Sequence, residues 1–416
     1  MPAILGVGFA VLLLIGTPVA IAIGGASLLS MVLSEGIPLE VGAQRLVAGL
    51  RSFPLMAIPL FILAGSLMND GGITRRLIDF AYAAVGSIRG GLAAVNILTN
   101  MIFGGISGSS VADASATGKI LIPQMVKRGY TAGFAAALTA LASTIAVVIP
   151  PSINLIIYGV TAEVSIGSLF FWGLYIGVAF GFVYILTAYV LARIKGYPAE
   201  DRVSRRELLR TSKDAVLALM IPVVVLGGIR FGVFTATEGG AVAVLTAVIL
   251  GGLVYRELTW AKVKKSMNEA LMLIAAIMLI IAMAQLYAWA LVTGGIPSMV
   301  ADFVLGISDN PVVILLVINV LFLLIGMVLE GNAAIIIFTP ILLPVALAVG
   351  IDPVHLGLII VINLAIGLLT PPVGISLLIT TRIAGIPLQE SVREAIPWLG
   401  VAIALLFAVT YIPLLL

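Results

Sequence analysis

The sequence has no cysteine and one histidine, His355. These absences remove disulfides, thiol nucleophiles and zinc sites of the usual kind. Charge is scarce as well: Asp, Glu, Lys and Arg make up 10% of the 416 residues, against about 25% in ordinary soluble domains. No soluble fold hides a chain that is 62% hydrophobic, so its natural solvent is a bilayer. The alternating ten-residue pattern of an outer-membrane barrel is missing, which leaves helices as the spanning elements. The first apolar run has no basic residues before it, unlike a cleaved secretory signal. The phosphate-binding pattern GxxxxGK[ST] does not occur, which argues against ATP drive within the chain. Paired aspartates on facing helices, a Ser–His pair and an HExxH zinc motif are not evident either, so an intramembrane enzyme has no visible constellation to work with. The net charge of +3 is no nucleic-acid signal, because the basic residues sit in short loops between apolar runs.

What is abundant is glycine (44) and proline (20), and they recur in register. "ILIPQMVKRGYTAGFAAALTALASTIAVVIPP" at 120–151 parallels "ILLPVALAVGIDPVHLGLIIVINLAIGLLTPP" at 341–372. Pro123, Gly129, Pro150 and Pro151 align with Pro344, Gly350, Pro371 and Pro372 at a constant offset of 221, and "GGITRRLIDF" (71–80) aligns with "GGIPSMVADF" (294–303). A gapless block with four aligned Pro/Gly positions reads as an internal duplication. Basic residues give each copy a direction. Arg75, Arg76, Arg89, Lys127 and Arg128 lie in first-copy loops whose second-copy counterparts have none. Arg256, Lys262, Lys264, Lys265, Arg382 and Arg393 reverse the bias. The positive-inside rule then makes the repeat inverted, a signature of secondary transporters.

The basic connector at 193–215 is expected in the cytoplasm, between a first repeat over 1–192 and a second over 216–416. Crossings are expected at 3–17, 18–33, 54–70, 130–162 and 168–192, then 216–230, 237–255, 269–292, 352–385 and 397–416, with both termini external. Residues 91–127 and 312–349 enter and leave on one side, as re-entrant hairpins, and 75–87 and 298–307 lie along the interface. The crossings at 130–162 and 352–385 are broken helices, because each carries a double proline at its middle. Proline removes an N–H and pushes the preceding residue out of helical geometry. Carbonyls around Ala146–Val148 and Gly367–Leu369 are expected to be freed, with new half-helices starting at Ser152 and at Val373–Gly374.

The hairpin tips are "GGISGSSVADASATGK" (104–119) and "GMVLEGNAA" (326–334). Oxygens of a tip and of a break can replace the water of a hard cation such as Na⁺, and exposed helix N-termini favour a carboxylate. Single residues keep two readings. Asp113 is a cation ligand or a capped carboxylate. Glu330 ligates or bonds Asn332 and the tip backbone. Ser107, Ser109 and Ser110 ligate or simply permit close packing. Asn154 is costly in an apolar half-helix and calls for a polar partner. Thr370 contacts an ion or satisfies freed backbone. Lys119 snorkels to the cytoplasmic face or takes a role in the pocket, and Arg382, after Thr380 and Thr381, snorkels or meets a substrate carboxylate. His355 reads as incidental.

"GGISGSSVADASATG", "IPP" followed by "SINLIIYG", "GMVLEGNAAIIIFTPILLP" and "LLTPPVGISLL" resemble the large membrane subunit of tripartite ATP-independent periplasmic (TRAP) transporters, over nearly the whole chain from "GTPVAIAIG" (16–24). The resemblance implies an all-α polytopic protein of the cytoplasmic (inner) membrane of a bacterium or archaeon: an inverted repeat with two re-entrant hairpins, two broken helices and elevator-type movement. It implies sodium-driven uptake of organic acids of the C4-dicarboxylate, sialic acid or sugar-acid type, with no organic cofactor. Partners would be a periplasmic substrate-binding protein and a small four-helix membrane subunit, expected as a separate polypeptide. Sodium sites carried over residue by residue take in Ser107, Gly108, Ser109, Ser110, Asp113, Pro150, Ser152 and Asn154, and Gly326, Glu330, Asn332, Thr370, Pro371 and Gly374. Ser110, Thr381 and Arg382 are the candidates for substrate. The competing reading is a self-sufficient sodium- or proton-coupled carboxylate symporter of a related branch.

Overall fold

The computed structural model describes residues 2–34, 38–198 and 204–414, which form helices and turns without a β-strand. The first half contains α1 (Pro2–Leu14), α2 (Val19–Val32), α3 (Leu39–Leu50), α4 (Ala57–Asp70), α5 (Ile73–Val85), α6 (Gly91–Ser107), α7 (Ser110–Lys127), α8 (Ala132–Thr144), α9 (Ile153–Thr161) and α10 (Ile166–Ile194). The second contains α11 (Arg205–Arg230), α12 (Ala236–Val248, continued by a π-helical stretch Ile249–Val254), α13 (Trp260–Thr293), α14 (Ile296–Ile307), α15 (Pro311–Gly326), α16 (Gly331–Ala348), α17 (Pro353–Gly367), α18 (Ile375–Ala384) and α19 (Leu388–Tyr411).

The element order repeats. The run α5 to α10 matches α14 to α19 one for one, and α3 with α4 occupies the place of α13. Where α13 is one continuous helix, the first copy breaks at "RSFP" (51–54) into a 3-10 turn, Phe53–Met56. Pro54 brings no N–H to bond a preceding carbonyl and disfavours helix at Phe53. The sequence pattern predicts no element between 33 and 54, so α3 is an addition from the structure. Among the described residues, seven helical stretches are long and apolar enough to cross a membrane: Phe53–Asp70, Ile166–Ile194, Arg205–Arg230, Ala236–Val254, Trp260–Thr293, Gly331–Ala348 and Leu388–Leu414.

The helix pairs α6–α7 and α15–α16 lie within a residue of the bounds expected for the hairpins, and α17–α18 within a residue of those of the second broken helix; α8–α9 run over 132–161, against 130–162. Three expectations need correction. The connector is shorter than 193–215, because α11 already begins at Arg205. Ser204 caps it by accepting from the Glu207 N–H, and Arg210 bonds Glu207 one turn on, so polar residues read as loop are the solvated first turns of a helix. Residues 199–203 of the connector lie outside the described residues. Likewise α13 and α19 start earlier than 269 and 397, at Trp260 and Leu388. Finally, α1 and α2 have only 13 and 14 residues, about 20 Å each, short of the ~30 Å hydrocarbon core.

The upstream half-helices form the centre. Helix α8 is buried from Gly133 to Thr144 and α17 from Leu356 to Gly367. Lipid is as apolar as these side chains, so burial in a membrane gives little drive by itself; small residues that let backbones approach supply it. "AGFAAALTALAST" is such a surface. At the periphery α5 buries Ile73, Leu77 and Ala81, whereas α14 buries no residue.

Candidate functional site

Hairpin one ends in a tight reversal. Gly108 is the left-handed residue between the arms (φ +60°), and a Cβ there would lie 2.5 Å from the Pro151 carbonyl oxygen. Glycine is thus required both by conformation and by the approach of the break. Ser109 caps α7 through the Ala112 N–H. Asp113, in the first turn of α7, is buried; its Oδ1 accepts from the Ser107 hydroxyl, while Oδ2 has no hydrogen-bond partner. The Ser110 hydroxyl lies 3.0 Å from Ser143 Oγ on α8 and 3.0 Å from Ser376 Oγ on α18.

Hairpin two is built differently at the same places. Glu330 is the residue before α16 and makes no side-chain cap. Its Oε1 accepts from the Asn332 amide, and both Glu330 Oε2 and Asn332 Oδ1 are buried without a partner. The upstream arm meets its own broken helix backbone to backbone, since a Cβ on Gly367 would lie 2.3 Å from the Gly326 carbonyl carbon.

The breaks satisfy part of themselves. Both double prolines contain cis peptide bonds, Pro150–Pro151 and Pro371–Pro372. Ser152 caps α9 and also donates to the Val147 carbonyl at 2.6 Å. The Leu368 carbonyl accepts from the Ser376 and Leu377 N–H groups, and the Gly367 carbonyl from Thr370 N–H. The expectation that the whole of Ala146–Val148 and Gly367–Leu369 would be freed is therefore corrected: local turns close over several of these oxygens. Thr370 donates to the Ile366 carbonyl at 2.8 Å, which matches its backbone-satisfying reading. Gly374 is left-handed (φ +48°) and precedes α18. The first break is fully buried, whereas Pro372 and Val373 of the second are exposed.

Contacts also cross between the repeats. The break that carries Asn154 meets hairpin one, where Gly108 lies against Pro151 and Ile153, and a Cβ on Gly331 of hairpin two would lie 2.8 Å from Asn154 Nδ2. Ser376, missed in the sequence, reaches the other way, to Ser110 of hairpin one. Each hairpin tip thus meets a downstream half-helix of the opposite repeat. These contacts pair the N-terminus of α9 with that of α16 and the N-terminus of α7 with that of α18, Gly108 before α7 lies against the start of α9, and each N-terminus carries partial positive charge.

The substrate candidates are not assembled into one cluster. Ser110 is bonded to serines, Thr381 donates to Leu377 O within α18, and Arg382 is exposed in the last turn of that helix, about 9 Å along the axis from Ser376. Lys119 is exposed on α7. The ring of His355 bonds the Val409 carbonyl at 2.8 Å and joins α17 to α19. Sequence reasoning also missed the buried amides behind hairpin one. Thr117 links to Asn100 (3.3 Å), Asn100 to Asn96 (2.9 Å), and Asn96 to Thr139 (2.7 Å). The signal was there: amides in apolar helices must find partners.

Chemically, the site offers buried oxygens without protein partners at both tips, Asp113 Oδ2, Glu330 Oε2 and Asn332 Oδ1. Oxygen-only donors suit a hard alkali cation, so the residues present fit the ion that the sequence suggested.

Comparisons with known proteins agree with this architecture. Residues 7–415 match the family model described as "Tripartite ATP-independent periplasmic transporter, DctM component". The chain is 43% identical over 361 residues to the C4-dicarboxylate TRAP transporter large permease protein of Pseudomonas aeruginosa, covering 87% of this chain and 84% of that one. It is 39% identical over 392 residues to the sialic acid TRAP transporter large permease protein of Vibrio cholerae, with 94% and 92% covered. In three dimensions it resembles the YdaH transporter of Alcanivorax borkumensis at a TM-score of 0.65, with 14% identity, over 91% of this chain and 88% of that one. That likeness shows the fold. The family comprises transporter permeases rather than enzymes, and this multi-pass membrane chain belongs to it, as a large permease (DctM) component of the tripartite ATP-independent periplasmic transporters.

Proposed function

We propose that this chain is the large permease subunit of a sodium-coupled importer of small organic acids. The observation that carries the reading is the meeting of two hairpin tips with two broken helices around buried carboxylate and amide oxygens that no protein group satisfies. The chain's residues would divide the work. Asp113, Ser107 and Ser110 would hold one cation at hairpin one; Glu330, Asn332 and the oxygens near Thr370 and Gly374 would hold another at hairpin two. The bound cations supply positive charge that lowers the cost of bringing an anionic substrate between the tips. Four helix N-termini add to that field without a basic side chain, and Arg382 on α18 is the one cationic candidate for a substrate carboxylate.

The matched relatives are named for C4-dicarboxylate and sialic acid, and the substrate class proposed here takes in both together with sugar acids. A periplasmic binding protein would deliver the substrate and a small membrane subunit would complete the permease. The halves are proposed to be inverted in an inner membrane, with both termini external, and the hairpins and broken helices to move as one body against the other helices. Their crosswise packing supports that reading. Uptake by proteoliposomes containing the permease, its small subunit and its binding protein is the test. Uptake that is indifferent to a sodium gradient overturns the coupling, and uptake by this chain alone overturns the tripartite assignment in favour of a self-sufficient symporter.

A further inference from the structure

The serine contacts at hairpin one have a direction. The Ser143 hydroxyl donates its single proton to the Ala140 carbonyl at 2.8 Å, so toward Ser110 it can only accept. Only one order then gives all three hydroxyl protons an acceptor within this set: Ser110 donates to Ser143 and Ser376 donates to Ser110. The chain runs Ser376 to Ser110 to Ser143 to Ala140 O. All three serines are buried, at 0% exposure for Ser143 and Ser376 and 2% for Ser110. With its proton committed to Ser143 and one lone pair taken by Ser376, Ser110 keeps one lone pair and no hydrogen for anything else.

We propose that Ser376, on the second repeat, is a positioning residue for the first cation site. It locks the Ser110 hydroxyl so that an oxygen lone pair and not a hydrogen is available in the same first turn of α7 as Asp113, and it ties the tip of hairpin one to the second broken helix. The inference rests on the cation reading above and adds to it a physical link between the two sites. The repeat supplies an internal contrast. Offset by 221, the place of Ser110 is taken in hairpin two by Gly331, which has no hydroxyl, and it faces Asn154 across a contact that leaves no room for a Cβ. Hairpin one is latched across the repeats by side-chain hydroxyls; hairpin two meets the opposite repeat there without one.

Hydrogen–deuterium exchange of the purified full-length chain, titrated with NaCl against a choline chloride background, tests this. In the parent, sodium should slow exchange in segments 105–115 and 326–336. In Ser376→Ala, the sodium midpoint for 105–115 should rise about tenfold, with a faster sodium-free exchange there, while 326–336 keeps its midpoint within about twofold. A general loosening of the fold would instead speed exchange throughout. Ser143→Ala, which removes the acceptor at the other end, should shift 105–115 in the same sense and carries the test if the first variant does not fold. An unchanged 105–115 midpoint in a folded variant overturns the positioning role. If sodium protects neither hairpin in the parent, the cation reading falls by itself. The clamp is then judged on sodium-free exchange: faster at 105–115 in Ser376→Ala upholds it, and unchanged exchange overturns it.

Discussion

Gly326 and Gly367 touch backbone to backbone: a Cβ added to Gly367 would lie 2.3 Å from the carbonyl carbon and 2.5 Å from the carbonyl oxygen of Gly326. No flexible side chain is there to give way. Gly367→Ala should therefore push hairpin two off α17 at a cost of about 1–3 kcal/mol, in the range of overpacked cores. Thermal unfolding in detergent should show a lower midpoint; an unchanged midpoint would mean that the two backbones are not held in contact in the membrane protein.

Asp113→Asn keeps the size of the side chain and an oxygen for Ser107 but removes the charge. If the carboxylate serves a cation, the sodium concentration for half-maximal uptake should rise about tenfold or more, roughly 1.4 kcal/mol, and Asp113→Ala should weaken it at least as much. A capped structural carboxylate predicts near-normal sodium dependence for the Asn variant, which makes the pair decisive.

Asn154 now reports on hairpin two. Asn154→Ala should weaken sodium dependence and loosen the tip at Gly331. The chain lacks cysteine, so Val328→Cys, at a 58% exposed tip position, can be labelled without background. Sodium should protect this thiol in the parent and protect it less in the Asn154→Ala background. Equal protection in both would detach Asn154 from the second site.

Arg382 is tested by Arg382→Ala. As a contact for a substrate carboxylate, its loss should raise the KM for substrate about tenfold with the sodium midpoint unchanged. A snorkelling arginine predicts no change in KM.

Arg76 anchors α5 at the edge of the fold. Its guanidinium bonds Glu257 at 2.7 Å and the Gly72 carbonyl at 2.8 Å, and stacks 3.9 Å over the Tyr255 ring. Both charged side chains are partly exposed, so the pair is worth only about 0.5–1 kcal/mol. A double-mutant cycle with Arg76→Ala and Glu257→Gln should return coupling of that size in unfolding measurements; additive effects would show that the pair does not hold α5.

Local pattern explains what was readable beforehand. The arms of hairpin one at 91–127 and the restart of helices after Ser152 and Gly374 follow from glycine, serine and proline chemistry acting within a few residues. The same reasoning missed the helical character of 205–215, because polar residues at a membrane surface suit loops and solvated helices equally. It also missed Ser143 and Ser376, since a serine in an apolar helix signals either a back-bond to its own turn or a partner elsewhere, and Ser143 does both.

The sequence by itself determined the solvent, the helical class, the duplication and the positions of the two tips and two breaks. Those depend on composition and on backbone preferences that each segment carries with it. The tertiary structure alone decided which tip meets which break, and which carbonyls the breaks keep for themselves. Ser110 and Ser376 are 266 residues apart, and Asn154 comes against Gly331 only because α9 packs beside α16. Contacts of that range are set by how buried helix faces fit together, which no local pattern encodes.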